Sequence, residues 1–307
     1  MNAERLKQIE EIYHAALEIP PDKRESFFKE FCGADKLRVK LSGADEQRLA
    51  KNYTANPEAY LLYLRGRFYW NKRTAEDLKK AIEQFKAAAD KDSNYALPYV
   101  GLADSYALLE QYTGTPPSET LPQAKAYAEL AVQIDDSLAE AHTSLGFVNY
   151  MLWQWAESEK EFKRAIELNP NYPTAHHWYY IYLRGMGRFD EALVEIKRAQ
   201  ELDPLSLVIN VSLTRAYFLK GDVNSCIEQT KKLIELHPNY APNHGFLGLA
   251  YIKQGHHTEA LAEMQKAVEL ERSSASLANL GYANAISGKY LEANDIIMEL
   301  QGRYAKR

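Results

Sequence analysis

The chain has 307 residues, 46% apolar and 26% charged, which is too apolar for a disordered protein and enough for a large core. The formal net charge is −5 with both signs scattered along the sequence, so no basic face suited to nucleic acid is expected. Nothing at the start resembles a signal peptide, and no apolar run approaches the roughly 18 residues of a membrane span, so we expect a cytoplasmic protein without a membrane partner.

Residues 1–41 predict a separate helical leader module. Apolar residues recur at helical spacing up to Pro20 and Pro21, and a second short amphipathic run ends at Gly33. Residues 4–38 resemble the leader that precedes the catalytic domain in many bacterial serine/threonine kinases. The chain has no Gly-rich phosphate loop, VAIK-type lysine, HRD loop or DFG motif, so the resemblance does not extend to a kinase domain. The polar residues that follow, 42–56, predict a linker or a poorly packed helix.

From residue 57 onward the sequence repeats with a step of 34 residues. The residues that keep this step are Pro170, Pro204 and Pro238; Gly187, Gly221 and Gly255; Leu168, Leu202, Leu236 and Leu270; and Ala165, Ala199 and Ala267. Such a period is typical of helix–turn–helix arrays. We therefore predict seven units, at 57–95, 96–138, 139–172, 173–206, 207–240, 241–273 and 274–307. The first unit has about five extra residues near 71–76. The second has about nine at 111–119, where Gly and Pro disfavour helix, and both insertions are expected to bulge from the turn between the helices.

Residues 173–206 illustrate one unit. Two amphipathic runs are separated by Gly187, which suits a tight turn, and Pro204 ends the second run. The unit resembles the tetratricopeptide repeat (TPR) family, with signature residues at Tyr179, Leu183, Ala192, Ile196, Ala199 and Pro204. The resemblance implies an all-α fold, a right-handed α-solenoid of TPR helical hairpins with a small N-terminal helical module.

The array also resembles the C-terminal TPR arms of bacterial serine/threonine kinases and of winged-helix or cyclase-type regulators. The stretches that carry this resemblance are NPEAYLLYLRGRFYWNKRT, LAEAHTSLGFVNY and NPNYPTAHHWYY. It implies a non-catalytic scaffold that binds a peptide or helix of a protein partner in the concave groove. The alternative is a detached regulatory or sensory arm of a kinase-like signalling system that acts through a separate effector.

In TPR arrays the first helix of each unit lines the concave side, and fixed positions face inward. Carried onto this chain, the resemblance implies an apolar, partly aromatic groove with a few cations, formed by Arg65, Phe68, Tyr69, Phe147, Tyr150, His177, Ile181, Arg184, Arg215, Phe218, Leu249, Ile252, Lys253 and Tyr282. The places where chaperone-binding repeats hold a lysine contain none here, so a chaperone-tail clamp is not expected.

No residue set predicts an enzyme, a cofactor or a metal site. The stretch GMGRFD at 185–190 lacks the preceding strand of a nucleotide-binding loop. His142, His176 and His244 share one place in their units, but neighbouring equivalent helices lie roughly 8–10 Å apart. Because metal–nitrogen bonds are near ~2 Å, these side chains cannot share an ion. Packing histidines are the preferred interpretation.

The last predicted helix, at about 291–301, carries an apolar stripe. Ile297 and Leu300 would meet a following unit in a longer array. We therefore expect this edge to be covered by a second copy of the chain or by a partner.

Overall fold

The structure, a computed structural model, describes residues 54–304, and within this range it contains fourteen helices and no strand. The expected all-α helical repeat fold is therefore confirmed. The predicted leader module at 1–41 and most of the linker at 42–56 lie outside the described residues and stay predictions. At the end of that linker, the Asn56 side chain accepts hydrogen bonds from the backbone N–H groups of Glu58 and Ala59 and so caps the first helix.

The helices pair into seven hairpins over residues 57–304, each made of a first helix and a second helix. The pairs are α1 Pro57–Asn71 with α2 Ala75–Lys91, α3 Ala96–Thr113 with α4 Pro117–Ile134, α5 Ala139–Met151 with α6 Trp155–Leu168, α7 Pro173–Gly185 with α8 Phe189–Leu202, α9 Leu207–Lys220 with α10 Val223–Leu236, α11 Ala241–Lys253 with α12 His257–Leu270, and α13 Ser274–Ile286 with α14 Tyr290–Tyr304.

The extra residues of the first two hairpins lengthen the helices, so the prediction that they bulge from the turns is wrong. Helices α1 and α2 have 15 and 17 residues, and α3 and α4 have 18 each, whereas α5 and α6 have 13 and 14. The turn before α4 is only Gly114–Pro116. Gly114 takes the left-handed C-cap conformation, and Pro117 opens α4 at a position that needs no N–H, so both residues delimit helices instead of interrupting them.

Large side chains of second helices fill the space left by glycines of first helices. Phe85 of α2 is fully buried against Gly66 of α1 and Gly101 of α3. Phe162 packs on Gly146 in the same way, and Met264 packs on Gly248. A Cβ atom on Gly101 would lie 2.5 Å from the Phe85 ring, so only glycine permits this close approach of helix to ring.

A buried histidine ties the two helices of a hairpin together. Nδ1 of His142 on α5 lies 2.5 Å from the carboxylate of Glu161 on α6, and Nε2 lies 3.0 Å from the carbonyl oxygen of Asp136. The same tie recurs at the same sequence spacing in His176 with Glu195 and Pro170, in His244 with Glu263 and Pro238 and, built from amides, in Asn210 with Gln229 and Pro204. These contacts account for the shared position of the three histidines.

The first helices form the inner side of the array over residues 57–304. Each first helix packs on the first helix of the next hairpin, whereas successive second helices pack on first helices and not on one another. Helices that approach more closely on one side than on the other give the stack its curvature. The first helices therefore line the concave side, here called the inner face.

Candidate functional site

Within the helices of the C-terminal half of the array, acidic residues are confined to the second helices, and the inner face carries only basic ones. The first helices α7, α9, α11 and α13 contain no acidic residue and four basic ones, whereas the second helices α8, α10, α12 and α14 contain twelve acidic and six basic residues. Among the four cations, Lys220 pairs with Asp190 of α8 at 2.6 Å. A chain with a net charge of −5 thus has a cationic inner side in its C-terminal half.

Three side chains of the first hairpin stack at the front of the inner face. The indole of Trp70 is buried between two guanidinium groups, with the Cζ atoms of Arg67 and Arg73 at 4.3 and 3.5 Å from the ring centre. Stacked Arg–Trp pairs of this kind are favourable cation–π contacts. The Trp70 N–H has no hydrogen-bond partner within residues 54–304. This group is called the Trp70 stack below.

Asp104 of α3 anchors one side of the Trp70 stack. Its carboxylate is 2% exposed, lies 3.6 Å from Arg67 Nη1 and accepts a hydrogen bond from the Ser144 hydroxyl of α5. Burial raises the pKa of Asp104 to about 6, and the charge of Arg67 works against that rise. Arg67 is therefore a paired cation that joins α1 to α3.

Arg73, by contrast, faces no carboxylate within ion-pair distance in the part of the chain that the structure describes. Burial lowers the pKa of its guanidinium to about 10, which still leaves it charged at neutral pH. The backbone of Arg73 has φ 56°, in the left-handed region, at the centre of the turn between α1 and α2. The turns of five other hairpins hold Gly114, Gly187, Gly221, Gly255 and Gly288 in this conformation, and within residues 54–304 only Trp153 shares the exception.

The middle of the inner face holds a neutral histidine among cations. His177 is buried, its Nε2 atom lies 2.9 Å from the Ser212 hydroxyl of α9, and burial, followed by the charges of Arg73 and Arg184, lowers its pKa to about 3. Burial and then the charge of Arg184 also lower the pKa of Arg215. The charges of Arg73 and Arg184 thus both act on His177, and the charge of Arg184 also acts on Arg215.

Aromatic rings contact two of the cations across the neighbouring first helices α9 and α11. The Arg215 guanidinium lies 5.3 Å from the centre of the Phe246 ring. Lys253 Nζ lies 3.9 Å from the centre of the Phe218 ring and donates to the Phe218 carbonyl oxygen at 3.1 Å. Tyr282 is half exposed at the end of the array. Aromatic and cationic groups therefore lie together on α9 and α11, and α13 adds the aromatic ring of Tyr282.

The structure distributes the fourteen predicted groove residues unevenly. A set along α7 to α13 is at least partly exposed and comprises Ile181, Arg184, Arg215, Phe218, Leu249, Ile252, Lys253 and Tyr282. Phe147 and His177 are buried instead, because Phe147 stacks on Trp178 at 4.3 Å and His177 bonds Ser212. Tyr150 is half-buried against Trp155 and Tyr182. These three contribute packing more than free surface.

In the first hairpin the inward positions are displaced by two residues. Gly66 contacts Phe85 as Gly146 contacts Phe162, so the two extra residues of α1 precede Gly66. Arg67 and Trp70 consequently take the places that the repeat pattern assigned to Arg65 and Phe68. Arg65 is exposed, and Phe68 and Tyr69 lie beneath Lys72 of the turn, with Lys80 of α2 also over Tyr69.

The repeat pattern did not predict the Trp70 stack or the exposed Trp153 as functional residues. Trp153 lies 34 residues before Gly187, so the repeat itself marks it as a bulky residue at a glycine turn, and its side chain is 77% exposed. Arg73 could not be found in this way because the longer α1 shifts the register.

Residues 54–304 show neither a metal-ligand cluster nor a helix suited to cross a membrane. No group of three or more His, Cys, Asp or Glu side chains there is arranged to hold a metal ion. No helix in this range is long and apolar enough to cross a membrane.

Comparisons with known proteins agree with the repeat architecture. Residues 139–172 and 241–274 match tetratricopeptide repeat models, so the chain carries such repeats. It is also similar to the transcriptional regulator HilA of Salmonella typhimurium, 26% identical over 147 residues. That match covers 48% of this chain and 27% of HilA, so the chain spans only about a quarter of the length of this curated relative.

Two solved structures share the fold. One is a tetratricopeptide repeat protein from Parabacteroides merdae, with TM-score 0.54 and 14% identity, covering 80% of this chain and 93% of that one. The other is a chain of the APC/C hetero-tetramer Cut9-Hcn1, with TM-score 0.58 and 13% identity, covering 86% of this chain and 52% of that one.

Proposed function

We propose that this protein is a non-catalytic scaffold that binds a segment of a protein partner, as a peptide or a helix, along its inner face. The observation that carries the proposal is the row of partly exposed aromatic, aliphatic and cationic side chains on α7, α9, α11 and α13. Aromatic and arginine side chains supply much of the binding energy in protein interfaces. Tetratricopeptide repeats generally mediate contacts between proteins, and an array of stacked hairpins offers an extended concave surface for them.

Site-specific photo-crosslinking in the full chain tests where the partner binds. A photoreactive amino acid at Tyr282 or Ile181 places the probe on the inner face, and the same group at the exposed Lys163 of α6 places it on a second helix. We expect both inner probes to capture one and the same protein that the α6 probe does not. Equal capture from α6, or different proteins from the two inner probes, contradicts an inner-face site.

The affinity of the captured partner should depend on inner-face residues. Arg184→Glu combined with Phe218→Ala is expected to weaken binding by more than ~2 kcal/mol, about thirtyfold in Kd, because a cation and an aromatic anchor are lost together. Both side chains are partly exposed, so the helical circular dichroism signal should be retained. Titration calorimetry measures the change.

The matched control for that double variant is Lys160→Glu with Tyr290→Ala. It makes the same change of charge and removes an aromatic ring at exposed positions of the second helices α6 and α14. The control should bind like the wild type. A folded Arg184→Glu/Phe218→Ala protein that also binds like the wild type would refute the inner-face assignment.

A second candidate function, a regulatory arm that acts through a separate effector, is favoured by the similarity to HilA. HilA is a transcriptional regulator, and the matched segment is about a quarter of its length. In this case the captured partner would be a regulator or a kinase, and the kinase-leader resemblance of residues 1–41 would agree with it. A partner of another class leaves the general scaffold as the function.

The exposed side of α14 is proposed to bind a second copy of the chain. Within residues 57–304 every other second helix packs on a following first helix, and α14 leaves Leu291, Ile297 and Met298 at least half exposed. Leu300, grouped with Ile297 in the sequence analysis, packs inward on the cluster of Val268, Leu277 and Ile296. Continuation of the stacking would cover Ile297 but not Leu300.

Ile297→Lys is therefore expected to abolish self-association, because it places a charge in the apolar contact. Light scattering over a dilution series should show a mass that rises with concentration for the wild type and stays monomeric for the variant. Glu292→Lys, an exposed change on the same helix, is the control and should associate like the wild type. A wild-type protein that is monomeric at every concentration rules out the contact.

A further inference from the structure

The inner face has a charge that its own carboxylates do not neutralise. Arg184 and Arg215 lie on helices without any acidic residue, and neither has an ion-pair partner within residues 54–304. Arg73 has none in that range either. On the second helices, by contrast, cations pair with carboxylates, as Lys163 does with Glu159 and Lys232 with Glu228. Cations are left unpaired on the side that is open to a ligand.

The three guanidinium groups are linked electrostatically, through the His177 ring and through Arg184. Arg73 and Arg184 both act on the His177 ring, although α1 and α7 are separated in the chain by two complete hairpins, and Arg184 in turn acts on Arg215. The charges of Arg184 and Arg215 repel each other, and burial adds a further cost. An incoming carboxylate would relieve the repulsion and could accept two parallel hydrogen bonds from a guanidinium.

The backbone conformation of Arg73 is strained, which destabilises the fold. A residue with a Cβ atom is strained in the left-handed region, and five other turns within residues 54–304 avoid that strain with glycine. Strain of this kind concentrates at functional sites. The Arg73 guanidinium stacks on Trp70 and feels the charge of the buried Asp104, but no carboxylate of the described part of the chain lies within ion-pair distance of it.

We propose that the partner segment bound on the inner face is acidic, and that Arg73, Arg184 and Arg215 receive its carboxylates while Phe218 and Tyr282 contact its apolar side chains. This inference rests on the proposed function and adds the chemistry of the ligand. Recognition of this kind joins electrostatic steering to apolar anchoring.

Selection of a random-peptide display library on the full chain tests both the proposed peptide-binding function and the acidic nature of the ligand. The Arg184→Glu/Phe218→Ala protein serves for counter-selection. We expect the peptides retained by the wild type alone to be rich in Asp and Glu with interspersed apolar residues. Retained peptides without acidic enrichment overturn the inference and leave the proposed function standing. No peptide retained by the wild type alone overturns the proposed function itself.

The selected peptide then tests Arg73 directly, by fluorescence anisotropy. Arg73→Gly should weaken binding about tenfold, as expected for the loss of one charge-assisted contact, and should make the affinity less sensitive to salt. Its melting temperature should change little, because the relieved turn strain offsets the lost stacking on Trp70. A purely structural arginine would show the opposite pattern, with lower stability and unchanged affinity.

Three controls separate the effects of backbone strain, charge and ligand class. Trp153→Gly relieves the same backbone strain without removing a charge and should keep the wild-type affinity, and Arg164→Ala removes an exposed cation from α6 and should do the same. A fluorescein-labelled single-stranded DNA oligonucleotide should not displace the peptide. Displacement that is lost in Arg73→Gly would mean that the groove takes nucleic acid, and would refute the peptide assignment.

Discussion

Phe85→Ala is expected to lower the free energy of unfolding by about 3–5 kcal/mol, the usual cost of removing a fully buried phenylalanine. The ring is 0% exposed and lies between α1 and α3, so its loss opens a cavity where two hairpins meet. Urea denaturation followed by circular dichroism measures the effect. Phe189→Ala, a truncation on α8 of a ring that is 40% exposed, is the control and should cost much less.

The reciprocal change tests the geometry of the same contact. Gly101→Ala places a Cβ atom 2.5 Å from the Phe85 ring and should destabilise the wild type by overpacking. In a Phe85→Leu background the added methyl group has room, so its cost should fall. A double-mutant cycle reports the coupling between the two positions. Additive effects would mean that Gly101 and Phe85 are not in contact.

The His142–Glu161 tie is expected to make stability depend on pH. Burial disfavours the charged ring, but the hydrogen bond to Glu161 and the backbone carbonyl of Asp136 outweigh it, so the pKa of His142 is raised above its ordinary value. The tie therefore contributes fully below the unfolded pKa of about 6.5, and its contribution is lost as the pH rises through the folded pKa. The loss should stay below the roughly 1.5–3 kcal/mol that a hydrogen bond to a charged group contributes.

The chain supplies its own control for this prediction. Asn210 and Gln229 make the same tie without an ionisable group, so His142→Asn with Glu161→Gln should keep the contact and remove its pH dependence. Unfolding in urea from pH 6 to pH 9 should show a falling midpoint for the wild type and a flatter one for the double variant. Asp104 titrates near 6 in both proteins, so its effect cancels in the difference. Parallel curves would contradict the assigned role of His142.

The sequence by itself determined the fold class and the helix–turn–helix period of this protein. Spacings of 34 residues between prolines, glycines and leucines report local requirements, namely where a helix must end or a turn must be left-handed, and local requirements are visible in sequence. The same logic gave the shared place of His142, His176 and His244, but not the Glu161, Glu195 and Glu263 side chains that hold them.

Only the tertiary structure decided how the inner face is composed. The two extra residues of α1 move Arg67 and Trp70 into places that the repeat pattern gave to Arg65 and Phe68, because register follows the contact of Gly66 with Phe85 and not a count of residues. The scattered charges become separated because first and second helices lie on different sides of the stack. The electrostatic effect of Arg73 on His177, across two intervening hairpins, depends on how the hairpins stack, which no local sequence pattern encodes.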